Sequence, residues 1–414
     1  MAKPKLALIP AAQGSKFYSV LPSDGVGDFD FARASAATRI NKYGLIETVA
    51  SGQSRLNYPL IDGVVNGCPH HILEPARTNL VSKSKDINTW SNQNSPTSTA
   101  NDTISPDGGL NADKITSTVL NSAKFISVTT INATVYSISV FVKNVNSQRS
   151  RIEIYNSPNC IIEFNWINNT PSTHSVTTFT NVGYEYYGDG WWRITANFTA
   201  TGTSNGFYIY PDRVVGTNSI YAWGAQLEAG SYPTSYIVSN SGSATTRVAE
   251  TANNSGDAST FNDSEGVLMA EISALADDGT IREIALSDGS TANRIEIRYS
   301  GGNVQGVVRF SANVLVFTYN INDTKDFIKA SLKYKSGNYS FWVNGFETQV
   351  DTTTGTPTGL SELAFDDGNG NDDFYGNTKQ IQYYDSALTD SELETLTSWT
   401  SFSEMATSQL YTIE

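Results

Sequence analysis

Alternating apolar and polar positions predict an antiparallel hairpin in the last third of the chain. Residues 327–335 (FIKASLKYK) show the period-2 pattern of a half-buried strand. Residues 336–338 (SGN) supply turn chemistry, because Gly adopts positive φ without steric cost and Asn tolerates it. Residues 339–343 (YSFWV) alternate again. Both apolar faces coincide if Leu332 pairs with Phe341, so the pattern also predicts the register.

The same alternation recurs along most of the chain and divides it into regions. Short strands separated by polar turns are predicted over residues 81–240 and 263–397, and we expect each region to form an antiparallel β-sandwich. Residues 1–80 carry scattered apolar anchors and several prolines, which favours an extended segment packed on a neighbour. Residues 241–262 are small and polar and are interpreted as a linker or surface strap. Residues 398–414 form a tail without a strong pattern.

One helix is predicted, at residues 390–397. Thr389 is followed three residues later by Glu392, which is the spacing of a capping box. Leu388 can contact Leu393 as a hydrophobic staple, and the helix would place Leu393 and Leu396 on the second sandwich.

Composition excludes several classes of function. The chain has 27 Lys and Arg against 41 Asp and Glu, a net charge of −14, which argues against nucleic-acid binding. No apolar run reaches the roughly 18 residues of a transmembrane helix, so we expect no membrane insertion. The two cysteines, Cys68 and Cys160, lie in different predicted regions and are expected to be free thiols.

Several stretches resemble virion proteins of tailed bacteriophages, of the tail-fibre or capsid-decorating kind. They are DFDFARASAATRINKYGLIE, CPHHILEPARTNL, ISPDGGLNADKI, GWWRI and WGAQLEAGSYPTSYI. The region 263–397, through LKYKSGNYSFWVNG and KQIQYYDSALTDSELETL, is similar to the concanavalin A-like or laminin-G-like lectin fold. The fold implied is all-β: a jelly-roll-like sandwich at 81–240, then the lectin-like sandwich, both preceded by an N-terminal docking segment at 1–80.

The resemblance implies a non-enzymatic structural component of the phage particle. Its partners would be other virion proteins of the capsid or tail and copies of itself, with a homotrimer as the first expectation. It would be assembled in the host cytoplasm, exposed on the particle surface, and would contact the host surface through multivalent binding. The alternatives are a dedicated glycan-binding lectin and a polysaccharide depolymerase.

Catalytic patterns are weak. A nucleophilic triad needs a histidine base, and only His70, His71 and His174 exist, without a nucleophile elbow. Cys68 with the two adjacent histidines falls short of the about four ligands of a zinc site, so a local turn is the favoured interpretation. Acidic strand residues such as Glu283 and Glu296 are isolated in sequence, whereas glycoside hydrolysis needs a carboxylate pair.

One acidic loop could hold calcium, the only cofactor considered. Asp367, Asn369, Asn371 and Asp373 are spaced like the early ligands of a calcium loop, but Thr378 stands where a bidentate Glu is required. A solvated hairpin loop without an ion is the favoured interpretation.

Three aromatic residues are candidate sugar-stacking positions. Trp342 falls on the polar face of the predicted hairpin, and Trp191 and Tyr187 occupy a comparable position in the first sandwich. An aromatic side chain there either stacks on a sugar ring, contacts another subunit, or is covered by another layer. Packing or subunit contact is the favoured alternative, because aromatic residues are also enriched at protein interfaces.

Overall fold

The computed structural model describes residues 3–156, 159–401 and 403–405. Its regular structure is almost entirely β-strand, which confirms the predicted all-β fold class. The N-terminal region contains short strands: β1 (Leu6–Leu8), β2 (Lys16–Phe17), β3 (Ser19–Leu21), β4 (Phe29–Ala32), β5 (Ala37–Ile40), β6 (Ile46–Val49), β7 (Leu56–Asn57), β8 (Leu60–Ile61), β9 (Val64–Val65), β10 (His70–Ile72) and β11 (Arg77–Asn79).

The first β-sandwich follows a short 3-10 helix at Ile87–Thr89. Its strands are β12 (Ser91–Gln93), β13 (Thr97–Ile104), β14 (Leu110–Thr116), β15 (Ala123–Thr129), β16 (Val135–Asn144), β17 (Arg149–Tyr155), β18 (Cys160–Ile167), β19 (Thr170–Thr177), β20 (Thr180–Tyr186), β21 (Trp191–Thr199), β22 (Ser204–Tyr210) and β23 (Ser219–Ala229). They form two antiparallel six-stranded sheets, ordered β12-β15-β22-β17-β18-β19 and β13-β14-β23-β16-β21-β20. Alternate residues such as Ile138, Val140 and Val142 are buried between the sheets.

The second β-sandwich begins after two short strands, β24 (Thr245–Arg247) and β25 (Thr251–Asn253). Its own strands are β26 (Glu265–Ala274), β27 (Arg282–Ser287), β28 (Arg294–Ser300), β29 (Asn303–Phe310), β30 (Asn313–Asn320), β31 (Ile328–Lys335), β32 (Tyr339–Val343), β33 (Phe346–Asp351), β34 (Glu362–Ala364) and β35 (Gly376–Tyr384). A five-stranded sheet, β30-β29-β28-β27-β34, packs on a nine-stranded sheet that contains β35-β26-β31-β32-β33.

The predicted hairpin register is confirmed, because Leu332 pairs with Phe341 between β31 and β32. The predicted helix is also confirmed: α1 spans Asp390–Thr397, and both hydrogen bonds of the Thr389–Glu392 capping box are present. No helix in the described part of the chain is long and apolar enough to cross a membrane. Residues 406–414 of the predicted tail lie outside the described residues.

The N-terminal segment extends the second sandwich. Strand β1 pairs with β35, β3 pairs with β1, and β10 pairs with both β35 and β7, so these strands enlarge one sheet. The predicted packing on a neighbour therefore takes the form of β-pairing, which satisfies the segment's backbone groups. The segment predicted as linker or strap is paired as well, β24 with β11 and β25 with β4.

A buried network of arginine–glutamate ion pairs joins these segments. Glu250 accepts a hydrogen bond from Arg33 Nη1 at 2.6 Å and one from Arg55 Nε at 2.9 Å. Glu74 Oε2 lies 2.8 Å from Arg55 Nη1 and 2.7 Å from Arg247 Nη1. Burial by itself would raise the pKa of Glu74, but the charges of Arg247 and Arg55 lower it to about 2. All of these charges are therefore paired in the interior.

Candidate functional site

A cleft of about 550 Å³ lies between the two sandwiches and the N-terminal segment. The first sandwich contributes Phe141, Tyr187 and Arg193, the N-terminal segment contributes Tyr58, and the second sandwich contributes Lys325. Clefts of this size, lined by aromatic and polar groups and placed between domains, are where small ligands usually bind. We therefore treat this inter-sandwich cleft as the candidate functional site.

The side chains on the first-sandwich side of the cleft come from one sheet face. Along β21, Trp192 and Ile194 pack on the core of the first sandwich, and the alternate residue Arg193 reaches the cleft, which Trp192 also lines. Tyr187 packs edge-on against Phe141, with ring centroids 4.9 Å apart, and burial raises the pKa of Tyr187 to about 12. The Tyr187 hydroxyl therefore stays protonated at neutral pH and can donate a hydrogen bond.

Next to the cleft residues Asp62 and Tyr187, two glycines bring the N-terminal segment and the first sandwich into close contact. Gly63, in the hairpin of β8 and β9, adopts φ +71, and a Cβ added there would lie 2.6 Å from Gly188 Cα. Only a residue without a Cβ allows this approach at that φ. The N-terminal segment is thereby held against the first sandwich, and the long sequence separation kept this contact out of the sequence prediction.

Two of the three predicted sugar-stacking residues are enclosed by protein, which contradicts that role. Trp342 is 7% exposed and packs with Leu393 and Leu396 of α1. Trp191 is 2% exposed, and its Nε1 donates to Ile104 O at 3.0 Å. Neither ring presents a face to solvent. The physical reason is that each outward sheet face is covered by another layer, which is the packing alternative considered from the sequence.

Tyr187 is half-buried in the cleft, so its predicted contact with a sugar stays a prediction. Tyr58 was missed by sequence reasoning. It lies between Asn57, whose side chain accepts a hydrogen bond from Ile40 N, and Pro59, and nothing in this local sequence marks a ligand contact. Its position in the cleft depends on the pairing of the N-terminal segment with the second sandwich.

The acidic loop does not fit calcium. Asp367 Oδ1 accepts hydrogen bonds from the backbone N–H groups of Asn369 and Asn371, both at 2.9 Å, and Arg294 Nη1 lies 3.7 Å from Asp367 Oδ2. Asp373 Oδ2 accepts a hydrogen bond from Tyr375 at 2.7 Å. These oxygens hold the loop and face a guanidinium, so they are poor cation ligands. No group of three or more His, Cys, Asp or Glu in the described ranges is placed to hold a metal ion.

The structure brings together two carboxylates that the sequence leaves isolated. Glu283 on β27 and Glu296 on β28 share one sheet face, and Arg298 Nη1 lies 2.7 Å from Glu283 and 3.6 Å from Glu296. Burial, followed by the charge of Glu283, raises the pKa of Glu296 to about 8. Both side chains are at most 2% exposed. This pair is enclosed among arginines, and the expected absence of catalysis stays a prediction.

The adjacent histidines belong to a strand instead of the predicted local turn. His70 and His71 lie in β10, and burial is the main cause that lowers the pKa of each to about 3. The His71 ring stacks on Phe17 with centroids 3.8 Å apart. Both cysteines are free, as predicted; Cys68 is exposed and Cys160 is buried.

Comparison with known proteins yields structural similarity only. No protein-family model matches the sequence, and no curated protein matches it.

Among solved structures, the chain is similar to the CBM40 domain of a Ruminococcus gnavus sialidase bound to α2,3 sialyllactose. The identity is 14%, the match covers 34% of this chain and 92% of that one, and the TM-score is 0.30. It is also similar to domain 4 of an extracellular arabinanase from Geobacillus stearothermophilus, with 14% identity, coverage of 36% and 73%, and a TM-score of 0.30.

A third similar structure is the receptor binding domain of botulinum neurotoxin mosaic serotype C/D. There the identity is 10%, the coverage is 35% of this chain and 39% of that one, and the TM-score is 0.29. All three similarities are confined to about a third of the chain and are too distant to carry a functional argument.

Proposed function

We propose that this protein is a non-enzymatic carbohydrate-binding protein and that the inter-sandwich cleft is its glycan site. The observation that carries the proposal is the composition of the cleft. Half-buried Tyr58 and Tyr187 stand beside Arg193, Glu185 and Lys325 in one concave space of about 550 Å³. Sugars bind where an aromatic face meets a few convergent hydrogen-bonding groups, because their rings have an apolar face and a polar edge.

The placement of the three histidines, all within the described residues, supports binding rather than turnover. Of the three histidines, His70 and His71 are buried and His174 is exposed on β19. His70 lines the cleft, but burial lowers its pKa to about 3, and the ring approaches the amide of Asn57 at 3.1 Å. A general base is most effective when its pKa lies near the working pH.

A glycan array followed by calorimetric titration of the best ligands tests the proposal. We expect Tyr58→Ala to weaken binding by up to roughly tenfold, because an aromatic contact contributes about 0.5–1.5 kcal/mol beyond the area that it buries. Tyr43→Ala is the matched control, since Tyr43 is 73% exposed and outside the cleft. A silent array would contradict the proposal, and so would equal affinities for both variants.

The non-enzymatic part of the proposal has its own assay. The protein is incubated for many hours with a polysaccharide that it binds on the array, and reducing ends are measured colorimetrically. We expect no new reducing ends. Steady release that depends on protein concentration would establish a depolymerase instead.

We propose further that the chain is a structural component of a tailed-phage particle. The stretches that resemble phage proteins contact one another in space. Thr38 donates a hydrogen bond to Tyr236 O at 2.6 Å, and Ser235 donates one to Glu74 at 2.5 Å, so three distant stretches form one unit. These contacts support a resemblance to phage virion proteins that extends over one folded unit and is not limited to separate short stretches.

Labelling purified phage particles with an antibody against this chain tests the phage assignment. Label on intact particles in electron micrographs is the expected result. Label recovered only from the particle-free fraction would contradict it. The predicted homotrimer is tested separately by light scattering of the purified chain.

A further inference from the structure

Buried arginines in this protein differ in how their charge is balanced. Among the described residues, five buried arginines have a carboxylate oxygen within 4.0 Å: Arg33, Arg55, Arg247, Arg282 and Arg294. Arg193 is 6% exposed and has no such partner in that part of the chain. A buried charge without a counter-ion is costly, so an unpaired guanidinium at a cleft needs an explanation.

Part of the Arg193 guanidinium is held by hydrogen bonds to the protein, including one with the Tyr187 side chain. Its Nη2 donates to Ser139 Oγ at 3.1 Å and to Thr234 O at 2.6 Å, and both acceptors are neutral. Its Nε has no hydrogen-bond partner among the residues that the structure describes. The Phe141 ring lies 5.7 Å from Cζ, which holds the guanidinium plane without neutralising it.

Burial lowers the pKa of Arg193, but Tyr187 and the charges of Glu185 and buried Glu228 raise it overall. Neither carboxylate is within ion-pair distance of the guanidinium, so the side chain is positioned by the protein without an anion in direct contact.

Two acidic residues act on Arg193: buried Glu228, and Glu185, which lies opposite Arg193 in the pairing of β20 with β21. Glu185 is exposed, and its carboxylate does not come within the 4.0 Å of an ion pair with Arg193. Glu185 and Arg193 both line the cleft. The Glu185 carboxylate therefore lies near the Arg193 guanidinium without binding it directly.

We infer that Arg193 binds the anionic group of an acidic sugar in the inter-sandwich cleft. The inference rests on the proposed glycan-binding function and names its ligand class. A guanidinium presents its N–H donors in a planar fork that matches a carboxylate, so uronic and sialic acids fit best. Sulfate esters share the anionic chemistry and form a separate arm of the test.

The wild-type chain gives the primary test. An array carries uronic-acid, sialic-acid and sulfated glycans, each printed beside its carboxyl-reduced or desulfated counterpart. We expect a carboxylate glycan to bind at least about tenfold more tightly than its reduced partner, as for a hydrogen bond to a charged group. Equal binding within every pair overturns this inference but leaves the proposed function standing. Preference for sulfate alone overturns the assignment to carboxylates. A wholly silent array overturns the proposed function as well.

Three variants distinguish recognition by the planar guanidinium of Arg193 from simple attraction to a positive charge. Arg193→Lys keeps the positive charge but loses the planar set of N–H donors. It should abolish most of the preference for the acidic glycan over its neutral counterpart. Arg149→Lys, outside the cleft, is the control and should retain that preference. Glu185→Gln should strengthen acidic-glycan binding by about twofold to fivefold, because it removes a like charge beside the anion. Thermal unfolding confirms that each variant is folded. Weaker binding by Glu185→Gln, or an unchanged preference in Arg193→Lys, overturns the inference.

Discussion

Arg55 Nε donates a hydrogen bond to Glu250 Oε1 at 2.9 Å between two side chains that are both fully buried and 195 residues apart in sequence. This bond joins the N-terminal segment to the strands that precede the second sandwich. It is part of the network that also contains Arg33, Glu74 and Arg247. The N-terminal segment is therefore held in place by charge pairing as well as by β-pairing.

Breaking this network should be strongly destabilising. Glu250→Gln leaves two buried guanidinium groups short of a counter-ion, and we expect it to lower the free energy of unfolding by about 3–5 kcal/mol. The exposed pair Lys16–Asp30 is the control, and Asp30→Asn should cost less than about 1 kcal/mol. Urea denaturation of the three proteins measures both effects. Equal midpoints would show that the network contributes little.

Trp342 is predicted to act in stability and not in binding. Trp342→Ala removes a buried ring from beneath α1 and should cost about 3–5 kcal/mol of unfolding free energy. Phe346→Ala, at a 69% exposed position on the neighbouring strand, should cost far less. Thermal unfolding gives the stability difference, and titration with a bound glycan should give one affinity for both variants. A specific loss of affinity in Trp342→Ala would restore Trp342 as a ligand contact.

The buried histidines should make the protein sensitive to acid. Their folded pKa values are lowered to about 3 from an ordinary value of 6.5, so the unfolded chain binds more protons between these limits. Stability is therefore full above about pH 6.5 and falls as the pH decreases toward 3. His71→Phe, which keeps the stack on Phe17, should reduce the slope of unfolding free energy against pH. His174→Phe, at an exposed position, serves as the histidine control. Identical slopes in His71→Phe and wild type would contradict the burial of an uncharged His71.

The approach of Gly63 to Gly188 should show in a matched glycine pair. Gly63→Ala and Gly52→Ala both place a Cβ at nearly the same positive φ, +71 and +72, but only the first meets a neighbouring backbone. Gly63→Ala should therefore cost more by roughly 1–3 kcal/mol, the penalty for overpacking, and should weaken glycan binding by opening the cleft. Denaturation and titration check the two effects. Equal losses in both variants would mean that strain in φ alone accounts for them.

Much of the local architecture follows from local sequence. Period-2 alternation determines which residues pair in β31 and β32, because one slip would turn every apolar side chain outward. The helix α1 begins where Thr389 can cap it, since capping needs only residues within one turn. The division into two sandwiches follows for the same reason: alternating strands bury one face each.

Only the tertiary structure determined what covers the strand faces that point away from the core of each sandwich. Alternation places Trp342, Trp191 and Arg193 away from the core of their sandwiches, and it carries no information about what lies above them. The helix, the N-terminal segment and the sheet edges cover the two tryptophans and leave Arg193 at a cleft. Contacts such as Arg55 with Glu250 join residues far apart in the chain. Their partners are set by the packing of whole layers, which no periodicity within a single strand encodes.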